Sequence, residues 1–367
     1  MLSTDPMDIT NYLSAQQQRS TTLQKLSHGA CLFNQNPSQS TFRKGDPLKQ
    51  QRESTMNRQE LRELIRGLVV VAVTPFDDDF ELDLGAMARD TEFWIESGLV
   101  QGKAVLKVAS VMGEITSMKE AEWPQVLKTV VQTAKGRIPV ISSVHGKDTR
   151  RTIEDAKLAQ DLGAVGLQIV PPFENLPTQD DIVRYYRAIS DAIDIGVMIY
   201  HAHWMPHARI EIETFKRMAD LEHVMAIKWN SPDDVPYESM RELVADFNVF
   251  DNSNQPGRCY RNGGQGFLDH LAPAYPKHEL EILDLLEKGR FDEGQELWDK
   301  VALPTNEFIT TVLADSGGAA RLKKATMSIM GHPVGSMRPP SQPLNEEEMH
   351  RLRQLLTGIG WPVPAAA

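Results

Sequence analysis

The feature that most limits how this chain can fold is an eightfold alternation. Short, mostly apolar, β-branched runs are separated by amphipathic stretches from about Arg62 onward. The runs are Leu68–Thr74, Ala104–Ser110, Pro139–Val144, Val165–Val170, Gly196–Tyr200, Val224–Lys228, Asn248–Phe250 and Gly266–Leu271. Between them, Asp83–Ser97, Lys119–Ala134, Thr149–Leu162, Gln179–Ile193, Ile212–Ala219 and Tyr237–Ala245 carry helical periodicity. Strands that are apolar throughout belong to parallel sheets covered on both faces. Strict strand-then-helix order gives either a closed barrel or a doubly wound sheet. Eight units in about 215 residues suit one circuit of a (β/α)8 barrel, and no GxGxxG follows the first run to support a dinucleotide fold. The expected fold is therefore α/β: a (β/α)8 TIM barrel over residues 56–275. A C-terminal helical region over 276–363 follows, with helices at His278–Lys288, Phe291–Leu303, Ala319–Met330 and Asn345–Leu356.

Residues 1–55 read differently. From Ser14 to Gln51 the chain is rich in Gln, Ser, Thr, Asn and Lys, with too few apolar residues to offset the entropy of ordering. A disordered extension is expected, with Met56 at its end as an alternative start. The net charge of −11 argues against a nucleic-acid partner, which requires a basic face. Cys31 and Cys259 lie far apart and outside any CxxC pattern, so a disulfide framework and a thiolate zinc site are not expected. Two free thiols suit the cytoplasm. No run of 18 apolar residues exists, so no membrane partner is expected.

In barrels of this kind chemistry sits at the C-terminal ends of the strands. The polar residues there are Thr74, Ser110 with Gly113-Glu114, Ser142-Ser143, Pro171-Pro172, Tyr200-His201, Lys228 and Asp251-Asn252-Ser253. Lys228 closes the run Val224-Met225-Ala226-Ile227. A buried lysine is costly unless it is paired or its pKa is lowered. A lowered pKa makes it an amine nucleophile that forms an imine with a carbonyl carbon. The alternative is a lysine that caps its strand and points to solvent. Tyr200 offers a phenol for proton transfer or simply a packed, hydrogen-bonded tyrosine. Gly113 allows a tight turn with exposed amides, and Glu114 is suited to fixing that loop. His201, His203 and His207 offer imidazoles, but no further ligands complete a metal set.

Taken in order, Gly113-Glu114, Tyr200 and Lys228 resemble the dihydrodipicolinate synthase and N-acetylneuraminate lyase family over residues 65–360. Thr74-Pro75-Phe76, Trp123, Pro171-Pro172-Phe173, Gly264-Gln265-Gly266 and Arg338-Pro339-Pro340 with Pro343-Leu344 are similar to the family's pattern. The resemblance implies a class I mechanism without metal or other cofactor: a 2-oxo acid such as pyruvate forms an imine on Lys228, and Tyr200 carries protons. It also implies a homo-oligomer, a dimer or tetramer. Substrate-binding positions on this reading are Ser110, Val111, Met112, Gly113, Glu114, Glu174, His203, Ser253 and Leu268.

The chain departs from that pattern at several points. Val111 and Met112 stand where the family has hydroxyl residues, and they donate no side-chain hydrogen bonds. Glu174 replaces a second aromatic hydroxyl, His201-Ala202-His203 replaces Asn-x-Pro, and Arg209 is the nearest counterpart of a family arginine. The expected activity is therefore that of a Schiff-base lyase, an aldolase or dehydratase acting on a 2-oxo acid or pyruvate-derived aldol, rather than dihydrodipicolinate synthesis. Two other readings stand beside it: a non-catalytic barrel that binds or assembles, and a metal-dependent aldolase using the histidines at 201–207.

Overall fold

A computed structural model describes residues 56–144, 148–313, 316–318 and 320–365. The expectations for residues 1–55, Cys31 included, lie outside the described residues. Eight strands form one closed parallel barrel in chain order: β1 (Gly67–Val71), β2 (Ala104–Val108), β3 (Val140–Val144), β4 (Gly166–Ile169), β5 (Gly196–Tyr200), β6 (Val224–Trp229), β7 (Asn248–Asp251) and β8 (Gly266–Leu268). Pairing of Leu68 with Phe267 and of Val69 with Leu268 closes the ring. The expected (β/α)8 architecture with C-terminal helices is the one observed.

Every strand position but the terminal Tyr200 is buried, yet the two faces differ. Side chains alternate along a strand with period two. Val69, Val71, Val105, Ile141, Met198, Ala226, Phe250 and Leu268 fill the lumen. Leu106, Val108, Leu167, Ile199, Ile227, Trp229 and Phe267 pack outward against the helix layer. The same parity turns Lys107, Gln168, Tyr200 and Lys228 into the lumen.

The base of the barrel is stoppered by the helix Arg58–Leu64. Asn57 and Glu60 form a capping box at its start. Leu61 and Ile65 enter the lumen core, while Arg58 donates to the carbonyls of Leu221, Val224 and Asp246. Glycine opens β4 and β5 for a steric reason: a Cβ at Gly166 or Gly196 would come within 2.7 or 2.9 Å of the Ile65 Cδ1.

Some elements differ from expectation. The stretch Tyr237–Ala245 forms a 3₁₀ turn at Tyr237–Glu242, drawn inward where the Tyr237 hydroxyl donates to Asp251 Oδ1 at 2.8 Å. The helix expected to stop before Pro304 runs from Phe291 to Val312, because Trp298, Val301, Ala302, Thr305, Phe308 and Val312 bury one continuous face across the proline. A short helix at Pro256–Arg261 was not expected. The remaining C-terminal helices are Pro276–Glu287, Arg321–Ile329 and Glu346–Gly358. They share one unit, Ser54–Ala367, with the barrel. No helix among the described residues is long and apolar enough to cross a membrane.

Candidate active site

A cavity of about 550 Å³ opens at the C-terminal ends of the strands. Its polar lining includes Lys107, Gln168, Lys228, Asn252 and Asp269; its apolar lining includes Val111, Met112, Phe173, Trp204, Met205 and Leu268.

Lys228 pairs in register with Tyr200 of the neighbouring strand. Its Nζ lies over the Tyr200 ring, 3.7 Å from the centroid. Burial holds the amine well below its ordinary pKa, and the charges of Lys107 and Lys323 push it the same way against the pull of Asp269. The shift favours the neutral amine, the form that attacks carbonyl carbon. Burial pushes the Tyr200 phenol up to about 12, so it keeps its proton. The Tyr200 ring meets Trp204 edge to face, with centroids 5.7 Å apart.

The sequence reading missed three polar residues here. Lys107 donates from Nζ to Gln168 Oε1 at 2.8 Å, and burial lowers its pKa to about 7. Asp269 accepts from the Val71 amide at 2.7 Å and ion-pairs with Lys323 of the helix Arg321–Ile329. Lys107 and Gln168 sit inside runs that read as uniform strands. Their signal was parity, since Lys107 is two residues from lumen-facing Val105. Trp204, Met205 and Thr116 are further lining residues that were not foreseen.

The loop after β2 is built by local hydrogen bonds. Gly113 N donates to Ser110 O at 2.9 Å and to its Oγ at 3.3 Å, and Thr74 Oγ1 donates to Gly113 O at 2.7 Å. Glu114 turns inward in a left-handed conformation, pairs with Lys324 Nζ at 2.6 Å and accepts from the Arg338 amide at 3.1 Å. The Arg338 guanidinium grips Glu122 at 2.6 and 2.9 Å and lies over the Phe76 ring. Thr74-Pro75-Phe76 and Arg338-Pro339-Pro340, far apart in sequence, thus meet around the Gly113-Glu114 loop and present Ser110, Val111 and Met112 to the cavity.

The lining includes Ser110, Val111, Met112, Tyr200, Lys228 and Leu268 among the sequence-derived candidates. Gly113 and Glu114 stand behind it as loop supports. Glu174 is exposed, His203 bonds Asn230 Oδ1 at 2.7 Å, and the Ser253 amide bonds Asp251 Oδ1 at 3.1 Å; none of the three lines the cavity. His201 is buried between Phe215 and Trp229, with its pKa lowered to about 3 by burial, while His207 is exposed. Among the described residues no three His, Cys, Asp or Glu side chains gather to hold a metal ion.

A model of the Dihydrodipicolinate synthetase family matches residues 64–359. The chain belongs to this family. Family membership makes it an enzyme, a lyase of the class I aldolase type. Similar curated relatives are the 4-hydroxy-tetrahydrodipicolinate synthases of Thermotoga petrophila, 27% identical over 303 residues, and Caldicellulosiruptor bescii, 28% identical over 298 residues. Each alignment covers 81% of this chain, and 99% and 98% of the respective relative. Among solved structures, the chloride-inhibited dihydrodipicolinate synthase of Acinetobacter baumannii complexed with pyruvate has a TM-score of 0.71 at 26% identity, covering 81% of this chain and 99% of that one. The enzyme of Thermotoga maritima has a TM-score of 0.70 at 27% identity, covering 81% and 99%.

Proposed function

We propose that this family member is a Schiff-base-forming lyase whose imine forms on Lys228 with a 2-oxo acid, and whose second reactant carries an apolar group. The observation that carries the reading is the buried Lys228 amine lying over the Tyr200 ring in the cavity. Its nitrogen attacks the ketone carbon; a C–N bond forms, and the carbonyl oxygen takes up two protons and leaves as water. The protonated imine then draws in the electron pair of the adjacent C3–C4 bond. That bond breaks to leave an enamine, and the C4 hydroxyl gives up its proton as the aldehyde forms. Tyr200 is the phenol placed to exchange that proton. Protonation of the enamine and return of water release the 2-oxo acid and free Lys228. The sequence can also run in reverse.

Val111 and Met112 take the place of loop hydroxyls, and with Phe173, Trp204, Met205 and Leu268 they give the cavity much apolar lining. That lining supports an aldehyde with a hydrophobic or aromatic substituent. Placement in the cytoplasm and assembly as a homo-oligomer, a dimer or tetramer, belong to the same proposal; the buried free thiol of Cys259 suits a reducing compartment.

The test is intact-protein mass spectrometry after borohydride reduction with pyruvate and a panel of other 2-oxo acids. A stable adduct mapped to Lys228, lost together with turnover in a folded Lys228→Ala protein, is the expected result. No adduct with any acid, or an active Lys228→Ala protein, would overturn the mechanism.

A further inference from the structure

Besides Lys228, two further lysines border the lumen's Asp269. Lys107, Lys228 and Lys323 all border the space around Asp269. Asp269 is already engaged by Lys323 and by the Val71 amide. Lys107 stands across the barrel from Lys228, on β2, with its amine on the neutral Gln168 amide. Because Gln168 Oε1 accepts that bond, its Nε2 remains a donor beside the amine. A buried ammonium is tolerated when an anion meets it. The loop after β2 is less equipped to hold an anion in its stead: the side chains of Val111 and Met112 carry no donors, leaving only their backbone amides, and the Gly113 amide is turned back onto Ser110.

On the reading that Lys228 forms an imine with a 2-oxo acid, we propose that Lys107, held by Gln168, binds that acid's carboxylate. The site then selects anionic carbonyl compounds through a lysine of the lumen rather than through hydroxyls of the loop. An iminium carbon and the carboxylate attached to it are adjacent atoms, so a substrate fixed on Lys228 presents its carboxylate within the same chamber that Lys107 lines. The negative charge in turn favours the ammonium form of Lys107.

The experiment compares pyruvate with pyruvamide, its neutral analogue of nearly the same shape, as probes for borohydride trapping on the full chain. Wild type is set beside Lys107→Met and Gln168→Glu. The methionine keeps the volume and removes the charge; the glutamate puts a competing carboxylate against Lys107. Both variants are expected to raise the half-saturating pyruvate concentration by about 10- to 100-fold, the range for a lost hydrogen bond to a charged group. Half-saturation by pyruvamide should stay within about twofold, since that probe offers no charge to Lys107. A general loosening of the barrel would weaken both probes alike, so an equal loss overturns the proposal, as does pyruvate trapping that neither variant weakens. Should Lys107→Met fail to fold, Gln168→Glu alone decides. Should wild type trap neither probe, the imine reading falls by itself. Calorimetric binding of pyruvate, weakened or not in the two variants, then settles the role of Lys107.

Discussion

Tyr200 and Lys228 divide the labour of a proton and an electron pair, and each is set by burial. The phenol keeps its proton because burial raises its pKa to about 12, and burial lowers the amine's own pKa, which favours its neutral form. An acid beside a neutral nucleophile is the pairing that imine chemistry needs at its first step. Tyr200→Phe keeps the ring under the amine and removes only the hydroxyl. Turnover should fall by about 100- to 10,000-fold, while the borohydride-trapped fraction at equilibrium stays high. Steady-state kinetics beside trapping would check this, and an unchanged rate would hand the proton to another group. At this scale the sequence was half legible. Lys228 and Tyr200 stood out because each closes an apolar run, where a polar residue breaks the pattern. Lys107 and Gln168 lie inside their runs, and a buried parallel strand has no polar face against which an inward polar residue would show.

At the scale of elements, strands were easier to read than the segments joining them. Strands buried on both faces need continuous apolar sequence, and six of the eight expected runs overlap the observed strand to within two residues at each end. Helix ends depend on tertiary contacts, as the uninterrupted path through Pro304 demonstrates. The Arg338 cluster is the most instructive case. Its motif was visible as a short match near the C-terminus, but its purpose, clamping the loop that carries Ser110, Val111 and Met112, depends on residues more than 200 positions away. Removing the guanidinium leaves Glu122 buried without its cation. Arg338→Met should therefore cost about 3–5 kcal/mol, the usual penalty for breaking a buried pair. Chemical denaturation would measure it, and a cost below about 1 kcal/mol would mean that the pair behaves as a surface one.

Across the whole molecule, the barrel separates two ends with different duties. Leu61, Ile65 and the arginines of the first helix close the base, and the strands' far ends open into the cavity. The closed ring was foreseeable from eight units without a dinucleotide signature. The stopper's contacts were not, because Arg58 acts on backbone carbonyls, which leave no trace in residue identity. The closed base and the cavity at the opposite end also govern how the protein meets reactive chemicals. Near neutral pH, exposed lysines are ammonium ions and slow to react, whereas burial shifts Lys228 toward the free amine behind an apolar doorway of Val111, Met112 and Trp204. A hydrophobic aldehyde should therefore modify Lys228 ahead of the surface lysines, as peptide mapping of a limited reaction would show. The preference should fade toward pH 10, as surface lysines lose their protons, and modification of Lys228 itself should fail once the pH drops below its own lowered pKa. The burial that fits this lysine for catalysis would also set it apart from the surface amines.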